Sequence, residues 1–190
     1  MRAVRTLIAI CLTAAVAVAL LWWSLAAFGH RDPLFAFLAN WIAMSWVAIN
    51  GPSLRIHLPG GYYAPRPFET SGRIYELLGI RLFKAAVRRG PLAIFSPTLR
   101  FPKERTVEGI RWLQAEMRTA EAGHLLVLAL VAVPAVALAL AGEAAAAGWL
   151  ILFAIPINIY PIMLQRYNRI KLEELVVRTG SSPGWNGTPK

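Results

Sequence analysis

Four long apolar runs constrain the fold of this chain more than any other feature. They lie at residues 7–28, 33–49, 125–141 and 144–164, and none of them contains a charged residue. A helix needs about 20 apolar residues to cross the hydrocarbon core of a bilayer, and each run is close to that length. Because 57% of the 190 residues are hydrophobic, we predict an all-α membrane protein with four transmembrane helices.

The first run has a second interpretation, because Arg2 and Arg5 precede it and Ser24-Leu25-Ala26 resembles a signal-peptide cleavage site. Its apolar stretch, however, far exceeds the ~7–15 residues of a signal peptide's hydrophobic region. Trp22 and Trp23 also suit a membrane interface. We therefore expect an uncleaved helix.

The distribution of basic residues predicts how the helices are oriented. Of the 20 Lys and Arg residues, two precede the first run, twelve lie between Ser53 and Gly123, and five follow Leu164; the first outer loop has only Arg31. Cytoplasmic loops are enriched in such residues. The pattern predicts two helical hairpins in the inner membrane, with both termini and segment 53–123 cytoplasmic. This topology accounts for the net charge of +10, so we expect no nucleic acid among the partners.

The cytoplasmic segment 53–123 is expected to contain an amphipathic helix. Prolines and glycines between residues 51 and 67 predict an irregular start. Ser71 then suits the N-cap of a helix through about Arg89, with apolar residues on one side that would lie on the membrane surface. Those apolar residues are Ile74, Leu77, Leu78, Leu82 and Ala85.

A second helix is predicted to begin near Lys103, because Pro102 suits the first position of a helix. No helix breaker follows before the third apolar run, so this helix should rise from the cytoplasm into the bilayer. We expect residues 1–180 to form a single membrane domain and the polar tail 181–190 to be disordered.

Two acids and an imidazole lead into the third apolar run. Glu116, Glu121 and His124 project at about 0°, 140° and 80° around a helix, and so share one broad face. Glu121 and His124 are i,i+3 neighbours, so the carboxylate can orient the imidazole as a general base. The same spacing occurs among helix-borne metal ligands. The plainer interpretation is a solvated helix end with His124 at the membrane interface.

A second polar cluster closes the fourth run. Asn158 lies inside the span, and Gln165, Arg166, Tyr167, Asn168 and Arg169 end it. If the third and fourth runs form an antiparallel hairpin, the two clusters meet at similar depth. Arg166 and Arg169 alone would be explained as positive-inside anchors. Asn158 has no such explanation, because an amide inside a membrane span needs a partner.

Together these residues resemble a family of small membrane enzymes, the glycosyl-4,4'-diaponeurosporenoate acyltransferases of carotenoid biosynthesis. The resemblance rests on Glu116-x4-Glu121-x2-His124 followed by Asn158-x6-Gln165-Arg166-Tyr167-Asn168-Arg169, and a weaker likeness covers residues 73–84. It implies transfer of a fatty acyl group to a sugar hydroxyl of a membrane-borne glycoside. The expected partners are membrane lipids, a lipid-like glycoside acceptor and an acyl donor.

The hypothesis from these patterns is an acyltransferase in which Glu116, Glu121 and His124 are catalytic. Asn158, Gln165 and the Arg166–Arg169 string would bind the substrate, and acyl-CoA or an acyl carrier protein would be the donor, with no further cofactor. Two alternatives remain open. One is a metal-dependent enzyme with Glu116, Glu121 and His124 as ligands, although Cys11 is the single cysteine and lies in the first run. The other is a non-catalytic membrane subunit. The oligomeric state is not predicted.

Overall fold

The structure is a computed structural model that describes residues 1–54, 56, 58–89 and 107–178. In this part of the chain all regular structure is helical and no strand occurs, as predicted. The helices are α1 (Arg2–Phe28), α2 (Pro33–Leu54), α3 (Gly60–Tyr63), α4 (Arg73–Leu77), α5 (Ile80–Arg89), α6 (Val107–Leu140), α7 (Ala144–Ala154) and α8 (Tyr160–Arg178).

Four helical stretches are long and apolar enough to cross a membrane, and they correspond to the four predicted runs. They are Arg2–Phe28, Pro33–Leu54, Gly109–Leu140 and Ala144–Glu174. The prediction that an irregular segment starts at Gly51 is wrong, because α2 continues through Pro52 to Leu54. Proline's fixed φ fits a helix, and near the end of α2 it removes only one backbone hydrogen bond.

The described residues form two compact units, and the first comprises Met1–His57 and Thr119–Ile162. In this unit α1 packs on α2, and α2 packs on α7. Small and β-branched side chains fill most of its core, which allows helix backbones to approach closely in a membrane. The core residues are Ala36, Val47, Val127, Val131, Ala135, Leu150 and Ala154.

The two loops of the first unit that are predicted to face outward are joined by a salt bridge. Arg31, between α1 and α2, donates through Nε to Oε2 of Glu143, between α6 and α7, at 2.7 Å, and through Nη2 to Oε1. The hydrogen bond from Arg31 holds the pKa of Glu143 below its usual value. This places both loops at the same end of the unit.

The second unit comprises Leu58–Arg118 and Met163–Lys190. The prediction of one continuous helix from Ser71 to Arg89 is wrong, because α4 and α5 are separate helices on either side of Gly79. Gly79 has a φ of 79°, in the left-handed region that glycine adopts without steric cost and that interrupts a right-handed helix. Gly72 rather than Ser71 occupies the N-cap position of α4.

The predicted long helix that leads into the third apolar run is present as α6, which is continuous from Val107 to Leu140. Its predicted start near Lys103 and the predicted disordered tail 181–190 lie outside the described residues. The grouping of residues 1–180 into one domain stays a prediction.

Candidate active site

The polar centre of the first unit is built around Asn158, which lies in a π-helical turn. This turn, Ile155–Ile159, connects α7 to α8. Pro161 follows it and has no N–H to donate to the carbonyl of Ile157, four residues earlier, as a regular helix requires. The sequence therefore interrupts regular hydrogen bonding at the position of a buried amide. Such π turns occur frequently at functional sites.

His124 of α6 contacts this turn. Nδ1 of its ring lies 3.5 Å from Oδ1 of Asn158, at the long end of hydrogen-bonding range. Asn158 is completely buried and His124 is partly buried. The structure thus brings these two predicted residues together.

Asn40 of α2 extends this contact into a polar chain of three side chains, His124, Asn158 and Asn40. Asn158 Nδ2 donates to Asn40 Oδ1 at 3.2 Å. Asn40 Nδ2 donates to the backbone carbonyls of Ala36 and Leu150 at 3.0 and 3.2 Å. The sequence prediction missed Asn40, which is completely buried. Its place inside an apolar run is the signal that could have found it, because an intramembrane amide needs a partner.

The two predicted carboxylates of α6 have different surroundings. Glu121 belongs to the first unit and is completely buried, whereas Glu116 belongs to the second unit and is partly exposed. Close to Glu121, a Cβ added to Gly123 would lie 3.3 Å from Cγ1 of Val47, so α6 packs tightly on α2 there. The role of Glu121 in orienting His124 stays a prediction.

In the second unit, Arg166 forms a buried salt bridge with Glu69, and Tyr75 joins them in an ion-pair network. Nε and Nη2 of Arg166 donate to Oε1 and Oε2 of Glu69 at 3.0 and 2.7 Å, while Nη1 donates to the Tyr62 carbonyl at 3.2 Å. The hydroxyl of Tyr75 donates to Glu69 Oε1 at 2.6 Å. The bidentate geometry matches the guanidinium fork to the two carboxylate oxygens.

This network holds its groups in defined protonation states. Burial alone would raise the pKa of Glu69, but hydrogen bonds from Arg166, the Arg66 N–H and Tyr75, with the charge of Arg166, lower it to about 2. Burial and the hydrogen bond to Glu69 raise the pKa of Tyr75 to about 12. Near neutral pH, Glu69 is therefore a carboxylate and Tyr75 a phenol. The guanidinium of Arg166, one of the predicted substrate-binding groups, is therefore paired with Glu69.

The next three residues of α8 bind other elements of the second unit. Tyr167 donates its hydroxyl proton to Oε1 of Glu76 in α4 at 2.8 Å. Asn168 Oδ1 accepts a hydrogen bond from Lys84 Nζ in α5 at 2.7 Å. The guanidinium of Arg169 lies over the Tyr63 ring of α3, 5.1 Å from its centroid. These three predicted substrate-binding residues therefore hold α3, α4 and α5 against α8.

Gln165 differs from its neighbours on α8. The residue is 6% exposed, and its Oε1 atom is buried with no hydrogen-bond partner in the described part of the chain. A buried acceptor that is left unsatisfied costs about 1–3 kcal/mol. The role of Gln165 in substrate binding stays a prediction.

Among residues 1–54, 56, 58–89 and 107–178, no group of three or more His, Cys, Asp or Glu residues is arranged to hold a metal ion. The alternative in which Glu116, Glu121 and His124 ligate a metal therefore gains no support from the geometry.

A protein-family model described as glycosyl-4,4'-diaponeurosporenoate acyltransferase matches residues 59–178, well over half of the chain. The chain belongs to this family. The resemblance expected from the sequence is thereby confirmed. No curated protein and no solved structure is significantly similar to the chain.

The match to the acyltransferase family covers every predicted site residue and leaves out Asn40. Residues 59–178 include His124, Asn158, Gln165 and the Glu69–Arg166 salt bridge. Asn40 precedes this range, as does the whole of α2, which ends at Leu54. The polar chain thus combines two residues of the family-matched region with one residue outside it.

Proposed function

We propose that this chain is a membrane-bound acyltransferase that esterifies a sugar hydroxyl of a lipid-like glycoside with a fatty acyl group. The family description supports a glycosylated carotenoid as the acceptor, and a related glycolipid offers the same reacting group. The observation that carries the proposal is the contact between His124 and Asn158 inside an apolar bundle. An imidazole held by a buried amide is suited to proton transfer.

In the proposed reaction, His124 is the general base. It takes the proton of the sugar hydroxyl while the oxygen attacks the carbonyl carbon of an acyl thioester, either acyl-CoA or an acylated carrier protein. A C–O ester bond forms and the C–S bond breaks. The proton held by His124 then passes to the leaving thiolate. The acyl donor is the co-substrate of this reaction.

The geometry favours a positioning role for Asn158 over direct contact with the developing oxyanion. Its oxygen faces the His124 ring and its nitrogen donates to Asn40, so both ends of the amide contact protein groups. Glu121 is proposed to stabilise the protonated form of His124. Glu116 is proposed as a further catalytic residue.

In the second unit, Gln165 is proposed to bind the polar part of the substrate. Its buried Oε1 lacks a partner among the described residues and would accept a hydrogen bond from a sugar hydroxyl. Arg166 is assigned a structural role because Glu69 occupies it. Attraction of an anionic donor then falls to the twelve basic residues of segment 53–123.

We further propose that the four spans lie in the inner membrane with both termini on the cytoplasmic side. The asymmetry of Lys and Arg residues supports this orientation. The Arg31–Glu143 salt bridge is consistent with it, because both residues belong to loops assigned to the opposite side.

The test compares His124→Gln with wild type in a reconstituted acyl-transfer assay, with acyl-CoA and a carotenoid glycoside as substrates. Loss of the general base should lower the rate about 100-fold or more. Asn50→Ala is the matched control, since Asn50 is a buried amide of α2 that bonds to Thr13 and to the Trp46 carbonyl; its rate should stay near that of wild type.

Lipid profiles of cells that carry each variant provide the second measurement. Cells with His124→Gln should accumulate the unacylated glycoside at the expense of its ester. Equal ester formation by His124→Gln and wild type would contradict the proposal and favour a non-catalytic subunit. Loss of activity on addition of a chelator, with recovery on addition of metal, would favour the metal-dependent alternative.

A further inference from the structure

Asn40 is the residue whose contacts determine how the polar chain is oriented. It is completely buried on α2, and its amide nitrogen faces two carbonyl oxygens, those of Ala36 and Leu150. A carbonyl oxygen only accepts hydrogen bonds. The NH2 group of Asn40 must therefore point towards these carbonyls, since the reversed amide would place its oxygen against both of them.

This orientation is transmitted to Asn158. With its NH2 group committed, Asn40 presents Oδ1 to Asn158, and the group that approaches at 3.2 Å must be a donor. The NH2 group of Asn158 therefore faces Asn40, and Oδ1 of Asn158 faces the ring of His124. Reversing either amide of this polar chain would place two acceptors in contact.

The last step concerns the ring of His124. Its Nδ1 is the nitrogen next to Asn158 Oδ1, and this oxygen can only accept. A neutral imidazole carries its proton on one nitrogen and a lone pair on the other. A proton on Nδ1 allows a hydrogen bond, whereas a proton on Nε2 would set the Nδ1 lone pair against the amide oxygen.

We propose that Asn40 is a positioning residue that, through Asn158, keeps the His124 proton on Nδ1 and leaves Nε2 as the basic nitrogen. Only the consequence for catalysis rests on the proposed function; the protonation pattern does not. The role is absent from the sequence motif, because Asn40 lies before the family-matched residues 59–178. The proposal gives α2 a part in setting the protonation state of the proposed general base.

The direct test is NMR of protein labelled with 15N-histidine in nanodiscs, in which His124 is assigned by loss of its signal in His124→Gln. Wild type should show a protonated Nδ1 and an unprotonated Nε2. Asn40→Leu removes the acceptor for Asn158, so the two forms should become mixed. A wild-type ring protonated on Nε2 would overturn the proposal, as would an unchanged pattern in Asn40→Leu.

Two further variants separate positioning from a merely structural role. In Asn40→Asp, a neutral carboxyl group can donate to the Leu150 carbonyl and still accept from Asn158, so the wild-type pattern should persist. Asn50→Ala removes another buried amide of α2 and should also leave the pattern unchanged. A mixture in Asn50→Ala would show that any loss of packing disturbs the ring, and would contradict the role of Asn40.

The activity readout follows from the proposed function. Asn40→Leu should lower kcat about tenfold, because His124 loses both its correct form and its orientation, and Asn40→Asp should recover most of that loss. Mixed protonation without a fall in kcat would leave the positioning of the ring established and count against His124 as the base. An unchanged ring with a fall in kcat would overturn the positioning role.

Discussion

Arg166 and Glu69, 97 residues apart in sequence, form a bidentate salt bridge with side-chain exposures of only 10% and 7%. Tyr75 donates a further hydrogen bond to the carboxylate, and the Tyr62 carbonyl accepts one from the guanidinium. Burying two charges costs desolvation free energy, which is offset only when the ion pair has good geometry and further hydrogen bonds. Arg166, which the sequence predicted to bind the substrate, is thus a structural element of the second unit.

Removing one partner of this pair should destabilise the second unit strongly. Arg166→Gln leaves the Glu69 carboxylate buried without its counter-charge, which should cost about 3–5 kcal/mol of unfolding free energy. Lys171→Gln is the control, because the Lys171–Glu174 pair is about one-third exposed and such pairs contribute less than about 1 kcal/mol. Denaturant titrations in detergent compare the two, and equal losses would contradict the assignment.

The same pair predicts how stability depends on pH. The folded-state pKa of Glu69 is lowered to about 2 from an ordinary value of 4.5, so its contribution is fully present above about pH 5. It is lost as pH falls towards 2, because the unfolded state then binds the proton first. The contribution of Glu69 to the free energy of unfolding that is lost in this way is about 3 kcal/mol.

The pH prediction is tested by thermal unfolding between pH 7 and pH 3. Wild type should lose stability over this interval, whereas Glu69→Gln should be less stable at pH 7 and lose less on acidification. Parallel curves for the two proteins would show that other groups produce the acid sensitivity.

The contrast between Asn158 and Asn40 shows how much of the candidate site could be predicted from the sequence. The four spans follow from local composition, because length and apolarity decide whether a helix can cross a bilayer. The contact between His124 and Asn158 follows once α6 and the last span are antiparallel neighbours. The contacts of Asn40 depend on the packing of α2 against α7. The spacing of residues within a single helix does not predict which helices pack together.

The second unit was less predictable for a related reason. The partner of Arg166 lies in a proline-rich loop before α4, and its position there depends on long-range folding. The break between α4 and α5 arises because Gly79 adopts a positive φ. A single glycine within a helical pattern is usually tolerated, so the apolar periodicity around it predicted continuity.

The exposed leucines of α4 and α5 support the predicted contact with the membrane surface. Leu77 and Leu82 are 83% and 78% exposed, next to the basic residues Arg81 and Arg88, a combination typical of interfacial helices. An environment-sensitive fluorophore on Leu82→Cys, with Cys11 replaced, should be quenched by lipid-attached quenchers in anionic liposomes. The same label on Arg88→Cys should be quenched more by aqueous iodide; equal aqueous quenching at both sites would contradict the membrane contact.

Gly72 is expected to tolerate substitution poorly. Its φ is +69°, and an added Cβ would lie 3.2 Å from Cε2 of Tyr167 and 3.3 Å from Cε of Lys171. Tyr167 cannot move away freely, because its hydroxyl is bound to Glu76. Gly142 is a matched control, since its φ is +82° but nothing lies within 4 Å of the added atom.

Both alanine variants bear the strain of a left-handed residue, about 1–2 kcal/mol. Gly72→Ala should lose a further ~1–3 kcal/mol through overpacking against Tyr167, measured as the difference in unfolding free energy between the two variants. Adding Tyr167→Leu should remove most of that difference, because it eliminates the ring that the new methyl group meets. If Gly72→Ala and Gly142→Ala lose the same amount, backbone strain alone explains the glycine, and the close approach of α8 to the start of α4 does not require it.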